Sequence, residues 1–301
     1  MMNQHLDNKL RRSALYMPAN NRRALSKAQS LAADVIIFDL EDAVSPNDKA
    51  AARLALLEQL AHADYGPREL VVRINAVNSE WYDEDIKLLA ALTRVASTGV
   101  HLSAIALPKV ESEVDVLSVK HALEKIDLSH LSLWPMIETP AGVSNVRVIA
   151  QADASVNCLV MGTSDLSKEL KLGMNKQRLG LVFSLSQCVL AARECGIDIL
   201  DGVCLDLRDQ SLLAEEAAQG KSLGFTGKTV IHPDQLSITN AEFGVMPEAL
   251  AEAQEILHVW KLAQQKGEGL AVVNGRLIES LHVEVATRLV KNHADIEARG
   301  F

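Results

Sequence analysis

The sequence lacks most of the features that would place it at once. No run approaches the roughly 18 apolar residues of a membrane span, and the opening "MMNQHLDNKLRRS" has no apolar h-region, so a soluble, cytoplasmic protein is expected. The four cysteines, Cys158, Cys188, Cys195 and Cys204, form no C-x-x-C and no zinc spacing. Free thiols in a reducing compartment follow, packed as core fillers rather than acting as nucleophiles. No G-x-G-x-x-G occurs, which excludes the usual dinucleotide fingerprint, and "SLGFTGKT" has Ser222 where a P-loop needs its first glycine. Basic residues are in deficit, 30 against 39 acidic, for a formal net charge of -9. That balance disfavours nucleic acid or an anionic membrane as partner, and an anionic small substrate needs a local exception to it.

What the chain does have is alternation. Of its 301 residues 48% are apolar, enough for a sizeable core, and short runs rich in branched residues recur between longer helical patterns. They are "ALYMP" (14–18), "DVIIFDLED" (34–42), "ELVVRIN" (69–75), "AIALPK" (104–109), "LSLWPMIET" (131–139), "NCLVMGTSD" (157–165), "DILDGVCLD" (198–206) and "KTVIHP" (228–233). Eight strands, each followed by room for a crossover helix, predict a (β/α)8 TIM barrel over residues 1–244. Ser45 and Pro46 read as the start of the second helix. With no linker, low-complexity segment or further repeat, the change of pattern comes only after the eighth strand. There a long helix, a hairpin-like turn and another helix form a C-terminal helical lid, residues 245–301, outside the barrel.

In a parallel barrel the carboxyl ends of the strands share one rim, where loops assemble the active site. "LWPMIETPAG" shows what happens there: an apolar run ends on Glu138 before Pro140 and Gly142 turn the chain. Asp39, Glu41 and Asp42 close strand two, Arg73 and Asn75 strand three, Lys109 strand four, and Asp165 strand six. Singly, each is an ordinary helix cap or rim ion pair. Together, on successive strands, they predict a site. Glu138 and Asp165 would repel unless one is protonated or a cation lies between them, and Mg²⁺ suits a site offering one or two carboxylates. Arg73 offers a planar fork for a substrate carboxylate. His232, in "VIHPDQ", reads equally as a titrating catalytic group or as a buried imidazole holding the last barrel loop.

The segments "RRSALYMPANN", "ADVIIFDLEDAV", "VVRINA", "ALPKVES", "MIETPAG", "GTSDLSKEL" and "GFTGKTVIHPDQ" resemble, in the same order, the citrate lyase beta subunit-like family of CoA-ester lyases. The resemblance implies Mg²⁺ on Glu138 and Asp165, the substrate's acid end on Arg73, and CoA phosphates gripped by Tyr16, Arg23 and Lys27. It implies reversible cleavage of a 3-hydroxyacyl-CoA, such as citramalyl-CoA or malyl-CoA, to a 2-oxo acid and acetyl-CoA. It also implies a homo-oligomer, a trimer being the form to test, in which a neighbouring subunit's lid offers an acid/base aspartate. Here the family's G-x-M-I-D stands as "GRLIE", so Glu279 takes that place with a reach longer by about 1 Å. Three other readings stay open: a citrate lyase beta subunit, a CoA-ester thioesterase, and a CoA-ester binding protein without turnover.

Overall fold

Eight parallel strands pair in chain order and close on themselves: β1 (Ser13–Pro18), β2 (Val35–Asp39), β3 (Glu69–Arg73), β4 (Leu102–Leu107), β5 (Ser132–Ile137), β6 (Cys158–Met161), β7 (Asp198–Asp201) and β8 (Gly227–Val230). The computed structural model describes residues 9–95, 101–173, 177–267 and 269–300. Around the barrel run α1 (Arg22–Ala28), α2 (Lys49–Leu60), α3 (Tyr82–Val95), α4 (Glu113–Glu124), α5 (Pro140–Ser144), α6 (Val146–Ala150), α7 (Thr163–Glu169), α8 (Val182–Cys195), α9 (Gln210–Leu223) and α10 (Leu236–Glu242). The predicted (β/α)8 barrel is therefore present, with every predicted run supplying one strand.

The two-residue period of a strand sorts its side chains into two cores. Ala14, Tyr16, Val35, Ile37, Val71, Ala104, Ala106, Trp134, Met136, Cys158, Val160 and Leu200 fill the barrel interior. Their neighbours Leu15, Ile36, Phe38, Val72, Ile105, Leu133 and Leu159 pack outward under the helices. At the amino end of the strands the interior is closed by charge. Arg11 donates to Glu69 at 2.7 and 2.9 Å and to Asp198 at 2.9 Å, and its guanidinium stacks 4.7 Å from the Trp134 ring centroid. Access to the interior is thus from the opposite, carboxyl-end rim.

Several strands are shorter than their apolar runs, for local reasons. β2 stops at Asp39 because that side chain accepts from the backbone N–H of Glu41 (2.8 Å) and Ala43 (3.1 Å), turning the chain off the sheet. β6 stops at Met161, and Asp165 lies in the first turn of α7 rather than closing the strand as the sequence suggested. Ser45 also differs from expectation. Its hydroxyl donates to Asp48 at 2.8 Å without capping a backbone N–H, and α2 begins only after a short 3-10 turn at Pro46–Asp48.

The described residues divide into two compact units, one of Arg11–Phe243 and the other of Gly244–Phe301 together with residues 9–10. Within the second, α11 (Pro247–Gln265), the antiparallel pair β9 (Ala271–Val273) and β10 (Arg276–Ile278), and α12 (Ser280–Arg299) pack Ala263, Ala271, Val273 and Ile278 into a small core of their own. Among the described residues no helix is long and apolar enough to cross a membrane.

Candidate active site

A cavity of about 370 Å³ opens at the carboxyl-end rim, lined by Tyr16, Asp39, Asp42, Arg73, Met136, Glu138, Gly162, Thr163 and Asp165 among others. Glu138 follows β5 directly. Its position is fixed from the next residue on: Thr139 caps α5 by accepting from Gly142 N–H at 3.0 Å, and Pro140 occupies the first turn. Gly162 makes room for it, since a Cβ there would lie 2.3 Å from both Cβ and Oε2 of Glu138. Gly142 lets α5 approach the loop after β4, because its Cβ would stand 2.6 Å from the Val110 carbonyl.

That loop carries Lys109, a non-glycine residue in the left-handed region with φ 54. Its backbone N–H donates to Glu138 Oε1 at 2.6 Å. Its ammonium reaches Glu41 Oε1 at 2.5 Å, Asp165 Oδ2 at 3.8 Å and Asp42 Oδ1 at 3.9 Å. Glu138 and Asp165 border both the main cavity and a second one, lined also by Asn78, Glu111, Asp115 and Glu169. The structure therefore brings together the two predicted metal ligands at one place.

Arg73 ends β3 and is held from three sides. Its Nε and one NH2 donate to Asp39 at 2.7 and 2.5 Å, the other amino group meets Glu41 at 3.1 Å, and the Tyr16 ring lies 4.7 Å below. Burial acts to lower the guanidinium pKa, but Asp39, Tyr16 and Glu41 overcome it and leave it raised. The fork expected for a substrate is thus partly taken by Asp39, and the edge toward Glu41 is the one left to negotiate with a ligand. Tyr16, grouped with Arg23 and Lys27 by the family resemblance, stands apart from them. It is a barrel-interior side chain whose hydroxyl burial holds well above its usual pKa, whereas Arg23 and Lys27 are exposed on α1.

Sequence reasoning gave no role to Lys49, which supports the rim from beneath. Its ammonium donates at 2.7 Å to the carbonyls of Leu40 and Glu41 and to Asn75 Oδ1, pinning the turn that carries Glu41 and Asp42. Nothing in its helical context "NDKAAAR" marks a buried lysine. His232 holds the loop after the last strand, as the second reading expected, but half-exposed rather than buried. Its side chain is 44% exposed, its Nδ1 accepts from Asp234 N–H at 3.2 Å, and it lines neither cavity.

The electrostatics ask for a cation. Burial, then the proximity of Glu41, push the Glu138 carboxyl up to about 7, and burial raises Glu41 against the pull of Arg73 and Lys109. Asp39, Glu41, Asp42, Glu138 and Asp165 outnumber Arg73 and Lys109 around one opening. Oxygen donors alone, on a buried carboxylate and a half-exposed one, fit a hard divalent ion. Among the described residues no three His, Cys, Asp or Glu side chains form a metal cage, so substrate and water would complete the shell.

The fold is that of a TIM-barrel enzyme, with a carboxylate-rich rim at the mouth of its barrel. The chain belongs to the HpcH/HpaI aldolase/citrate lyase family, matching it over residues 12–233. It is 40% identical to a (3S)-malyl-CoA thioesterase of Cereibacter sphaeroides over 96% of both chains. It is 31% identical to the mitochondrial citramalyl-CoA lyase of Homo sapiens, over 89% of this chain and 81% of that one. The solved CitE protein of Mycobacterium tuberculosis, in complex with magnesium, acetoacetate and coenzyme A, superposes with TM-score 0.73 at 29% identity, covering 94% of this chain and 97% of that one.

Proposed function

We propose that the protein is a Mg²⁺-dependent lyase that cleaves a malyl-CoA- or citramalyl-CoA-like ester into a 2-oxo acid and acetyl-CoA. The observation that carries this reading is the excess of carboxylates over cations at the rim. An acidic substrate is repelled there until a divalent ion joins Glu138 and Asp165. When bound, such an ion supplies Lewis acidity to a substrate oxygen.

The chain's own residues do the rest. Arg73, stiffened by Asp39 and Tyr16, orients the substrate's carboxylate. Met136, Met161 and Val203 give the cavity an apolar wall that keeps water from the acyl chain. Arg23 and Lys27, exposed on α1, meet the CoA phosphates. Glu279, in the second unit, is the acid/base for the methylene carbon that becomes the acetyl methyl, reaching the site within a homo-oligomer.

A second reading, thioester hydrolysis to a hydroxy acid and free CoA, is favoured by the 40% identity to the (3S)-malyl-CoA thioesterase. Incubating purified protein with Mg²⁺ and malyl-CoA separates the two. Acetyl-CoA with glyoxylate and no free thiol marks the lyase; free thiol with malate marks the hydrolase. Absence of both sets of products with malyl-CoA and likewise with citramalyl-CoA, or turnover undiminished in Asp165→Ala, overturns the assignment of this site.

A further inference from the structure

We propose that Lys109 is a resident counter-cation of the rim, which a divalent ion must displace from Asp165, so that this one side chain sets the metal affinity of the site. The inference rests on the reading of Glu138 and Asp165 as the cation's ligands.

The backbone supplies the first observation. Lys109 holds φ 54, a conformation that costs a residue with a Cβ and persists where its surroundings enforce it. Its effect is to send the N–H of Lys109 to Glu138 at 2.6 Å while the side chain turns toward Glu41, Asp42 and Asp165. One residue thereby touches both proposed ligands, one through its main chain and the other through its charge.

The second observation is which of its bonds is weak. The ammonium hydrogen-bonds to Glu41 at 2.5 Å, but lies 3.8 Å from Asp165, an ion pair without a hydrogen bond. The Lys109 side chain is 42% exposed and Asp165 35%, so the two can part with water replacing the contact. Arg73 has no such freedom, being 9% exposed and doubly bonded to Asp39.

The third is the second cavity, which Lys109 lines together with Glu111, Asp115, Glu138, Asp165 and Glu169 as the sole lysine or arginine among the described residues there. Removing its charge takes a cation away from those carboxylates and leaves Arg73 acting on Glu138. A unit charge a few ångströms from a divalent ion in a partly desolvated rim is worth roughly a tenfold change in affinity or more, and salt reduces it.

The test is binding, independent of turnover. Full-length protein, stripped of metal with EDTA, is titrated with MgCl₂ by calorimetry and with Mn²⁺ by the electron paramagnetic resonance of the free ion. Lys109→Met keeps the length of the side chain without its charge, Lys109→Gln serves the same purpose should the first variant fold poorly, and Lys109→Arg keeps the charge. The expected result is a Kd lowered roughly tenfold in the neutral variants, and one close to wild type in Lys109→Arg. A neutral variant with native circular dichroism that binds Mg²⁺ equally or more weakly overturns the proposal, because a merely structural lysine would weaken the site when lost. Wild-type protein that binds neither ion overturns the reading of Glu138 and Asp165 as ligands, and this inference with it.

Discussion

The Arg73 guanidinium lies 4.7 Å from the centroid of the Tyr16 ring, two strands away, with Asp39 gripping its far edge. A buried cation over an aromatic face gains up to about 2 kcal/mol, and here the contact also fixes the plane of the fork. Tyr16→Leu is expected to raise KM for the CoA ester roughly tenfold, while Tyr16→Phe stays near wild type because the hydroxyl donates to a weak acceptor, Met136 Sδ, at 3.9 Å. Steady-state kinetics of the two variants check this, and equal losses would place the effect on the hydroxyl instead.

Gly162 offers a second handle on the site. A methyl group there would overlap Glu138, at 2.3 Å from its Cβ and Oε2, so Gly162→Ala must push the carboxylate off its bond with Lys109. Overpacking of this kind costs about 1–3 kcal/mol, which the barrel should survive. Thermal melts with and without Mg²⁺ are expected to show a folded variant whose midpoint no longer rises with the ion.

The Glu138 carboxyl, raised from 4.5 to about 7 by burial and then by Glu41, couples metal binding to pH. A folded-state pKa above the unfolded one means that the stability it contributes is complete below 4.5 and is lost as the pH climbs through about 7. A divalent ion favours the ionised form. Its apparent affinity should therefore fall about tenfold per pH unit below the Glu138 pKa, and the Mg²⁺-induced rise in melting temperature should shrink from about pH 8 to about pH 6. A rise that stays constant across that range would contradict the assignment of Glu138 as a ligand.

Much of this was legible in the sequence, for a physical reason. Strands buried on both faces read as short runs such as "DVIIFD" and "CLVM", and eight of them with crossover room admit few architectures. Glu138 was legible because an apolar run that ends on a carboxylate before Pro140 has to end at the rim. The partners were less so. Arg73 shows its charge in the sequence, but its bidentate bond to Asp39 depends on β2 and β3 lying in a register that sets those two residues side by side. The left-handed turn at Lys109 and the buried seat of Lys49 come from tertiary packing, and neither leaves a local signature. His232 stayed ambiguous in the sequence because a histidine at a strand end can serve chemistry or cap the turn that follows, as it does here.

The helix layer holds a buried charge cluster whose role is stability. Asp201 accepts from Arg178 at 2.9 Å and from Lys228 at 3.1 Å, and Lys228 also meets Glu216 at 3.1 Å. Asp201→Ala takes the carboxylate partner from buried Arg178 and leaves Lys228 with Glu216 alone, and is expected to cost about 3–5 kcal/mol, read from urea denaturation. Glu216→Gln, which leaves Lys228 paired with Asp201, should cost clearly less. Equal losses would mean that Lys228 depends on Glu216 as much as on Asp201.

Glu279 carries the last prediction, because it stands where the resemblance expects an aspartate. It is exposed at the start of α12, where its backbone N–H donates to His282 Nδ1 at 3.0 Å and its carboxylate faces the His282 backbone N–H in a reciprocal capping box, so the acid is held at the helix end with its outer edge open to solvent. If its work is proton transfer, removing the acid removes a step worth roughly 100-fold or more in rate without touching the groups that hold substrate. Glu279→Gln keeps the length and loses the acid; Glu279→Asp keeps the acid and shortens the reach by about 1 Å. The expected pattern is a kcat lowered about 100-fold in Glu279→Gln with KM little changed, and partial activity in Glu279→Asp. Should both variants alter KM alone, the carboxylate binds substrate and the proton must come from another group at the rim.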